Sequence, residues 1–570
     1  MTRNTAAPSA GATLEQIVVA SAAFWTLSAS APFLSAAIAD RSFAEPATWG
    51  WCVALFALLT SLHVVTLGLV ATRRTVRPLI AALTLLAAVG AHHAAAYRTV
   101  LDPSMVRNVL RTDPAEAREL VTASLALHVA AFAGLPILVL WRTPIAVREW
   151  RAALRARLAL LGVAAVIGVG TLLVVFQPLA SLMRNRPELR YLISPANLVW
   201  SSARVLTEDA RARTAAREPI GTDAAPGASW AGEPRPRVLV FVLGETARSA
   251  NWGLSGYRRQ TTPRLAARDD LIDFPRTRAC GTSTEASLPC LFGPTGAGFD
   301  PARVRRAESV LHVLARAGVA VHWRDNQSGC KGVCDGLPTD TVAASAPAGT
   351  CSDGRCPDEA LLHDLERRLD EARGTQLWVL HTIGNHGPSY FRRYPPAFAH
   401  FLPDCRSDDL RRCSREEIVN AYDNALRYTD HVLATVIERL TARAGRIDAA
   451  LLYVSDHGES LGEGGLYLHG VPLAIAPDVQ TQVPMVAWVG DGFARRIGLD
   501  RDCLARRAAE PAAHRNVVHT LLGLLDVRTA LHDPALDLTG RCRAATAQSA
   551  SPPAVRSGGE RRFRAAGDVG

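Results

Sequence analysis

Apolar and polar positions divide the chain at Phe176. Before it, five apolar runs are each long enough to cross a bilayer core of about 30 Å, which takes about 20 helical residues. They are Ile17 to Ala39, Thr48 to Ala71, Pro78 to Tyr97, Val121 to Trp141 and Leu158 to Gln177. The polar stretches between them carry an orientation signal. Arg73, Arg74 and Arg77 follow the second run, and Arg142, Arg148, Arg151, Arg155 and Arg157 follow the fourth, whereas Asp40 to Ala47 holds one arginine against two acids. Positive residues stay on the cytoplasmic side, so Met1 is expected in the cytoplasm and everything beyond Phe176 on the far side of the membrane. Ala37-Ile38-Ala39 looks like a signal-peptidase site. The first run is long for a signal peptide and has only Arg3 as its basic lead, so retention is favoured; cleavage leaves the final orientation unchanged.

The pattern then changes period. Arg98 to Leu120 is a polar loop in which Pro103 and Pro114 break any long helix. Ser181 to Trp200 mixes arginine, leucine and aromatic residues as a helix on a membrane surface does. Arg213 to Pro236 has no apolar periodicity and is expected to be a linker. Beyond it, Arg237 to Leu243, Val319 to Trp323, Gln376 to Thr382, Ala449 to Val454 and Val483 to Val489 predict buried strands, and apolar residues from Tyr422 to Leu440 recur at helical spacing. Such alternation predicts an α/β domain with a mainly parallel central sheet and its chemistry at the carboxyl ends of the strands. The resulting division is a cytoplasmic tail (1–16), an all-α five-span membrane domain (17–177), an interfacial helix and linker (178–236), an aqueous α/β domain (237–543) and a disordered tail (544–570).

Composition sharpens this picture at two points. Of 63 basic residues one, Lys331, is a lysine. Of 11 cysteines, Cys52 lies in an apolar run and the other ten lie in the aqueous half. An even number beyond a membrane predicts disulfides, although Cys330 with Cys334 or Cys351 with Cys356 could also be zinc-ligand pairs. Local pairs (Cys280 with Cys290, Cys330 with Cys334, Cys351 with Cys356, Cys405 with Cys413) are the simplest connectivity, and Cys503 and Cys542 are left for each other.

Three predicted strands run straight into polar clusters: Gly-Glu245-Thr-Ala-Arg, Gly-Asn-His386-Gly, and Ser-Asp456-His457-Gly-Glu459. One Asp-His pair after a strand is usually structural. Three clusters of oxygen and imidazole donors beside glycine turns point to a metal, and donors without thiolate, together with hydrolytic or transfer chemistry, suit zinc. The segment Cys280-Gly-Thr-Ser-Thr284-Glu-Ala-Ser-Leu-Pro-Cys290 offers hydroxyl nucleophiles. Glu459 and Glu463 are candidates to orient His457 or His469, and His92 and His93, near the end of the third run, are expected at the interface rather than in catalysis.

Taken together, Gly-Glu-Thr-Ala-Arg, Cys-Gly-Thr-x-Thr, Gly-Asn-His-Gly-Pro, Ser-Asp-His-Gly-Glu-Ser-Leu-Gly-Glu and Tyr-Leu-His-Gly resemble the phosphoethanolamine-lipid A transferases, which include the colistin-resistance enzymes, over nearly the whole chain. The resemblance implies an alkaline phosphatase/sulfatase-type domain in the periplasm, anchored in the inner membrane. It implies one zinc held by Glu245, Thr284, Asp456 and His457, with Thr284 as nucleophile. His386 and His469 match positions near the substrate, where a second zinc sometimes binds. Asn108, Thr112, Glu116, Ser328 and Lys331 match residues that hold the phosphoethanolamine donor. The implied partners are phosphatidylethanolamine, lipid A and the membrane, with no nucleic acid, and the chain is expected to be a monomer. A zinc-bound threonine is a plausible nucleophile because coordination lowers its pKa, and Lys331 would give a compact charge for a phosphate oxygen.

The nearest rival is a sister enzyme that modifies a core sugar of lipopolysaccharide or transfers phosphoglycerol. A sulfatase is disfavoured because the Cys280 to Cys290 loop does not present a formylglycine precursor. A non-catalytic binding protein is disfavoured by the complete ligand set. Cys503, Cys542 and Gly293-Pro294-Thr295 depart from the family signature.

Overall fold

The computed structural model describes residues 11–214, 217–232, 235–294, 304, 306–352 and 355–544. The proposed tail lies outside them but for Ala544, as do the first ten residues.

The amino-terminal half is helical. Helices α1 (Leu14–Leu27) and α2 (Ala31–Ile38) meet at 51°, because Pro32 opens α2 and cannot continue the hydrogen bonding of α1. Then come α3 (Pro46–Val70), α4 (Val76–Tyr97), α5 (Pro103–Leu110), α6 (Pro114–Glu119), α7 (Ala123–Arg142) and α8 (Trp150–Asn185). Four of these helices are long and apolar enough to cross a bilayer, or five spans if the bent α1–α2 pair counts as one. The outer side of α8 leaves Val166, Leu173, Val174 and Phe176 more than half exposed. An aqueous protein rarely tolerates so continuous an apolar surface, which suits lipid as the solvent. Pro103 and Pro114 do break the intervening loop, and each then begins a short helix, where its missing amide costs nothing. Asp102 caps α5 by accepting from the Met105 amide at 2.8 Å.

Two expectations for the connecting region are corrected. Ser181 to Trp200 is not one surface helix. α8 continues to Asn185, the chain turns at Arg186-Pro187, and α9 (Ala196–Thr214) begins after Pro195. Each proline removes an amide donor and disfavours the helical conformation just before it. Nor is Arg213 to Pro236 a free linker. Ala225–Pro226 pairs antiparallel with Val527–Arg528, and the Trp230 indole donates to the Leu525 carbonyl at 2.8 Å. The segment straps the α/β domain through contacts nearly 300 residues away, which a local pattern does not encode.

The central sheet of that domain has seven strands: β1 (Arg237–Gly244), β2 (Leu271–Asp273), β3 (Ala320–Asp325), β4 (Thr339–Thr341), β5 (Thr375–His381), β6 (Asp448–Ser455) and β7 (Met485–Val489), in the order β2-β7-β6-β1-β5-β3-β4. It is a mixed sheet. β6, β1, β5, β3 and β4 pair in parallel, while β7 is antiparallel to both β6 and β2. The chain between β6 and β7 stays at one end of the sheet in short turns, so it returns beside β6 without a crossover and must run the other way. Side chains alternate across the sheet. Leu239, Phe241 and Leu243 enter one core with α10 (Thr284–Phe292) and α12 (Arg515–Leu524); Val238, Val240 and Val242 enter the other with α11 (Arg415–Thr441). Both faces are covered, which is why the strands read as unbroken apolar runs. Ser414 and Glu417 form a capping box that starts α11, leaving Leu426, Leu433, Ile437 and Leu440 on its buried stripe.

Five disulfides close in the α/β domain: Cys280–Cys290, Cys330–Cys334, Cys351–Cys356, Cys405–Cys413 and Cys503–Cys542. Cys52 is free. The full chain, denatured without reductant, is therefore expected to show one titratable thiol, with thiols in the α/β domain appearing only after reduction. Several reactive thiols before reduction would contradict the pairing.

Candidate active site and metal centre

β1, β5 and β6 end level with one another, with Gly244 opposite Ser455 and Leu243 opposite His381. The residues that follow are thereby forced together: the Asp456 amide donates to the Gly244 carbonyl at 2.9 Å and the Asn385 amide to the Glu245 carbonyl at 3.0 Å. Gly384, at φ +49°, makes the second approach possible, since a Cβ there would lie 2.5 Å from the Glu245 carbonyl oxygen. Thr246 turns the chain away from Glu245 in the left-handed region, at φ 60°.

At this edge the side-chain donor atoms of Glu245, Asp456 and His457 all lie within 4.8 Å of one another. His457 Nε2 is 3.3 Å from Glu245 Oε1 and 3.4 Å from Asp456 Oδ2. All three residues are buried, and Asp456 Oδ2 and His457 Nε2 have no hydrogen-bond partner. Buried polar atoms are normally satisfied. Two orphaned donors converging with a second carboxylate fit a divalent cation of zinc type, which takes oxygen and imidazole ligands. Electrostatics agree with this fit. Burial disfavours a charged His457, but the carboxylates of Asp456 and Glu245 outweigh it and push the imidazole up to about 10. Burial and the neighbouring Glu245 carboxylate push Asp456 up to about 6.

Thr284 joins it from the other side. It is the first residue of α10, with Ser283 as N-cap, and its hydroxyl donates to Glu245 Oε2 at 2.9 Å. The Cys280–Cys290 disulfide ties the approach to Thr284 to the middle of the helix it starts.

The other candidate residues fall into two groups. Glu116, on α6, meets His386 Nε2 at 2.9 Å, and His386 packs ring against ring with His469, which packs on His457. Burial disfavours a charged His386, yet the Glu116 carboxylate raises it to about 9. The second group flanks α10. The Thr112 hydroxyl donates to the Asn108 carbonyl at 2.8 Å, and Arg111, between them, pairs with Glu285 at 2.7 Å. Lys331 Nζ donates to Ser328 Oγ at 2.5 Å and to the Arg111 carbonyl at 3.5 Å. Ser328 and Lys331 thus line a cavity of 710 Å³ beside α10, shared with Arg111, and do not stand among the candidate metal ligands.

Comparison with known proteins extends the picture to the whole chain. Residues 59–210 match the family described as phosphoethanolamine transferase EptA/EptB, and residues 237–527 match the sulfatase family. Phosphoethanolamine transferase EptA of Escherichia coli (strain K12) is 37% identical, over 82% of this chain and 86% of that protein. Phosphatidylethanolamine transferase Mcr-1 of Escherichia coli is 35% identical, over 76% and 81%. The solved integral membrane lipooligosaccharide phosphoethanolamine transferase A of Neisseria meningitidis superposes with a TM-score of 0.88 at 33% identity, covering 92% of this chain and 98% of that one. The chain belongs to the phosphoethanolamine transferase family.

Of the residues around this site, Glu459 and Glu463 are candidates from the sequence, whereas His514 and Asp358 carry no signal in it. Glu459 turns to His469, at 3.3 Å from its Nδ1, whereas Glu463 takes Arg248 at 2.8 Å and orients neither histidine. His514 is fully buried between two elements of the site: Nδ1 accepts from the Cys280 amide at 3.4 Å, and Nε2 donates to the Ser455 carbonyl at 2.9 Å. It lies 234 residues from Cys280 in sequence, as the N-cap of α12, a helix that reads as ordinary core. Asp358 accepts from the Ile383 and Gly384 amides at 2.8 and 2.9 Å and so fixes the turn before His386. His92 and His93 stack with His128 and Tyr97 at the end of α4, apart from the centre.

Proposed function

We propose that this transferase moves phosphoethanolamine from phosphatidylethanolamine to a phosphate of lipid A through a covalent intermediate on Thr284, with five membrane spans holding the α/β domain on the periplasmic face of the inner membrane. The observation that carries the reading is the Thr284 hydroxyl at 2.9 Å from Glu245, at the head of a helix and beside a buried cluster of donors. Glu245, Asp456 and His457, joined by Thr284, would hold zinc. Bound there, zinc supplies a Lewis acid that lowers the pKa of a hydroxyl and offsets negative charge on phosphoryl oxygens.

The residues of the chain do the rest. In the first step the Thr284 oxygen bonds to phosphorus, the bond from phosphorus to the diacylglycerol oxygen breaks, and diacylglycerol leaves as an alcohol carrying a proton. In the second, a phosphate oxygen of lipid A bonds to phosphorus, the bond from phosphorus to the Thr284 oxygen breaks, and that oxygen takes back a proton given up by the acceptor phosphate or by water. The positive end of the α10 dipole lies at Thr284, where negative charge builds in both steps. Glu116, held ionised beside His386, suits the ammonium end of the donor. Ser328 and Lys331 suit its phosphate. A second zinc would require His386 and His469. The product carries a new ammonium group on each modified phosphate, which reduces the attraction of the outer surface for cationic peptides such as polymyxin.

Expression in a strain lacking such enzymes, followed by mass spectrometry of lipid A, tests the acceptor. One phosphoethanolamine on a lipid A phosphate is expected; phosphoethanolamine found on core sugar, or phosphoglycerol in its place, would replace this reading with that of a sister enzyme. A periplasm-dependent reporter fused after Leu206 and a cytoplasm-dependent one at Thr75 should both be active, and the reverse pattern would overturn the topology.

A further inference from the structure

The helix that brings Glu116 to His386 carries a second acid one turn on, and that acid is more deeply buried. Glu119 is 2% exposed. Its Oε2 accepts from Arg393 Nη2 at 2.5 Å and its Oε1 from Arg355 Nε at 2.8 Å. Arg393 is itself buried, and its Nε donates to the backbone carbonyl of His386 at 2.6 Å. One carboxylate of the membrane domain therefore reaches the backbone of His386 through a single guanidinium, while Glu116 grips the ring of the same residue. The spacing of three residues puts both acids on one side of α6.

The surroundings explain why this arrangement matters. The turn from Ile383 to His386 is held from within its own domain by Asp358 and by the Asn385 amide bond to Glu245. Those bonds fix the start of the turn. The His386 carbonyl is fixed by Arg393, whose own orientation depends on Glu119. A buried ion pair adds little net stability, because desolvation offsets most of the attraction, but it is strict about geometry, and an unpaired buried charge is costly. A planar guanidinium that bridges a carboxylate and a carbonyl transmits position with little slack.

We infer that Glu119, Arg393 and Arg355 form a clasp through which docking of the membrane domain sets the position of His386, so that the substrate side of the site is complete only when the two domains are engaged. Glu119 and Arg393 are positioning residues: they act on the donor through His386 and Glu116. The inference rests on the proposed role of those two residues in holding the donor, and its test includes a reading that does not.

The test uses the full chain in detergent, comparing wild type, Glu119→Gln, Arg393→Gln and the double variant. The double variant replaces the ion pair with two amides and leaves no charge of the pair unmatched, so it guards against simple misfolding. Transfer from labelled phosphatidylethanolamine should fall at least tenfold in kcat/KM in each single variant, mostly through KM, with zinc content unchanged. The double variant should lose no more than about twice what the worse single loses, because the two residues act as one device. Hydrogen exchange supplies the independent reading: the His386 amide, which donates to the Ile383 carbonyl at 3.2 Å, should exchange at least tenfold faster in Glu119→Gln, with the Ile383 and Gly384 amides held by Asp358 and the amides of β1 unchanged. If the His386 amide speeds up but transfer does not fall, the clasp stands and the role of His386 in donor binding fails. Unchanged exchange at His386 in a folded Glu119→Gln chain overturns the clasp, as do losses that multiply in the double variant.

Discussion

Thr284→Ala is expected to reduce phosphoethanolamine transfer by about a thousandfold or more, the scale seen when a covalent nucleophile is removed. The fold should survive, since the change deletes a hydroxyl and a methyl at the first turn of α10 and leaves the disulfide, the cap and the helix face in place. Water could still attack the donor at the emptied position, but that gives hydrolysis and passes nothing to an acceptor. Thr284→Ser keeps the oxygen and should retain partial activity. If Thr284 only shapes the Cys280–Cys290 loop, both variants would lose a little stability and continue to transfer. Incubating the wild type with labelled phosphatidylethanolamine and no acceptor, then mapping peptides by mass spectrometry, should find the phosphoethanolamine mass on the peptide carrying Thr284. An adduct centred on Thr246, Thr282 or Ser283 would move the nucleophile.

The second large effect is removal of the metal. A chelator is expected to abolish transfer, and added zinc to restore it. The same treatment should lower the unfolding midpoint of the α/β domain by about 10 °C, because a ligand present at a thousand times its Kd contributes about 4 kcal/mol and a domain of this size moves a few degrees per kcal/mol. Asp456→Asn should weaken zinc binding by at least the roughly 10- to 100-fold that the loss of a ligand's supporting partner costs. That change keeps the shape of the side chain and the backbone hydrogen bonds to Oδ1 from the Thr246 and His457 amides, so a fall in affinity reports the lost charge. A chain that transfers at full rate after exhaustive chelation, with no zinc found by elemental analysis, would remove metal chemistry from the mechanism.

Engagement of the two domains gives these effects a shared context. Arg111 reaches Glu285, the neighbour of Thr284, and Glu116 reaches His386. Both come from the short loop between α4 and α7. Glu285, next to Thr284, and His386 therefore each meet a charged side chain of the membrane domain. This suits the proposed reaction, whose donor, acceptor and alcohol product would all reside in lipid, since a site assembled at the membrane is complete where such substrates are.

How much of this the sequence carries follows from the range of the interactions involved. Strands covered on both faces must be apolar at every position, so β1, β5, β6 and β7 read as continuous runs, and in a parallel sheet side chains that follow such runs must meet at one edge. That rule places Glu245, Asp456 and His457 together from local pattern alone, and the run lengths before Phe176 are likewise fixed by bilayer thickness. The direction of β7 depends on how the preceding turns pack, which no periodicity records. The strap at Ala225–Pro226 is decided by Val527–Arg528, far along the chain, whereas the bend between α1 and α2 and the break at Pro195 follow from local prolines. Glu119, Arg393 and His514 are the clearest cases. Each is an ordinary charged or aromatic residue in its own segment and gains its role from a neighbour more than 200 residues away, because an ion pair or hydrogen bond is specified by the positions of two side chains in space, and only the folded chain sets those.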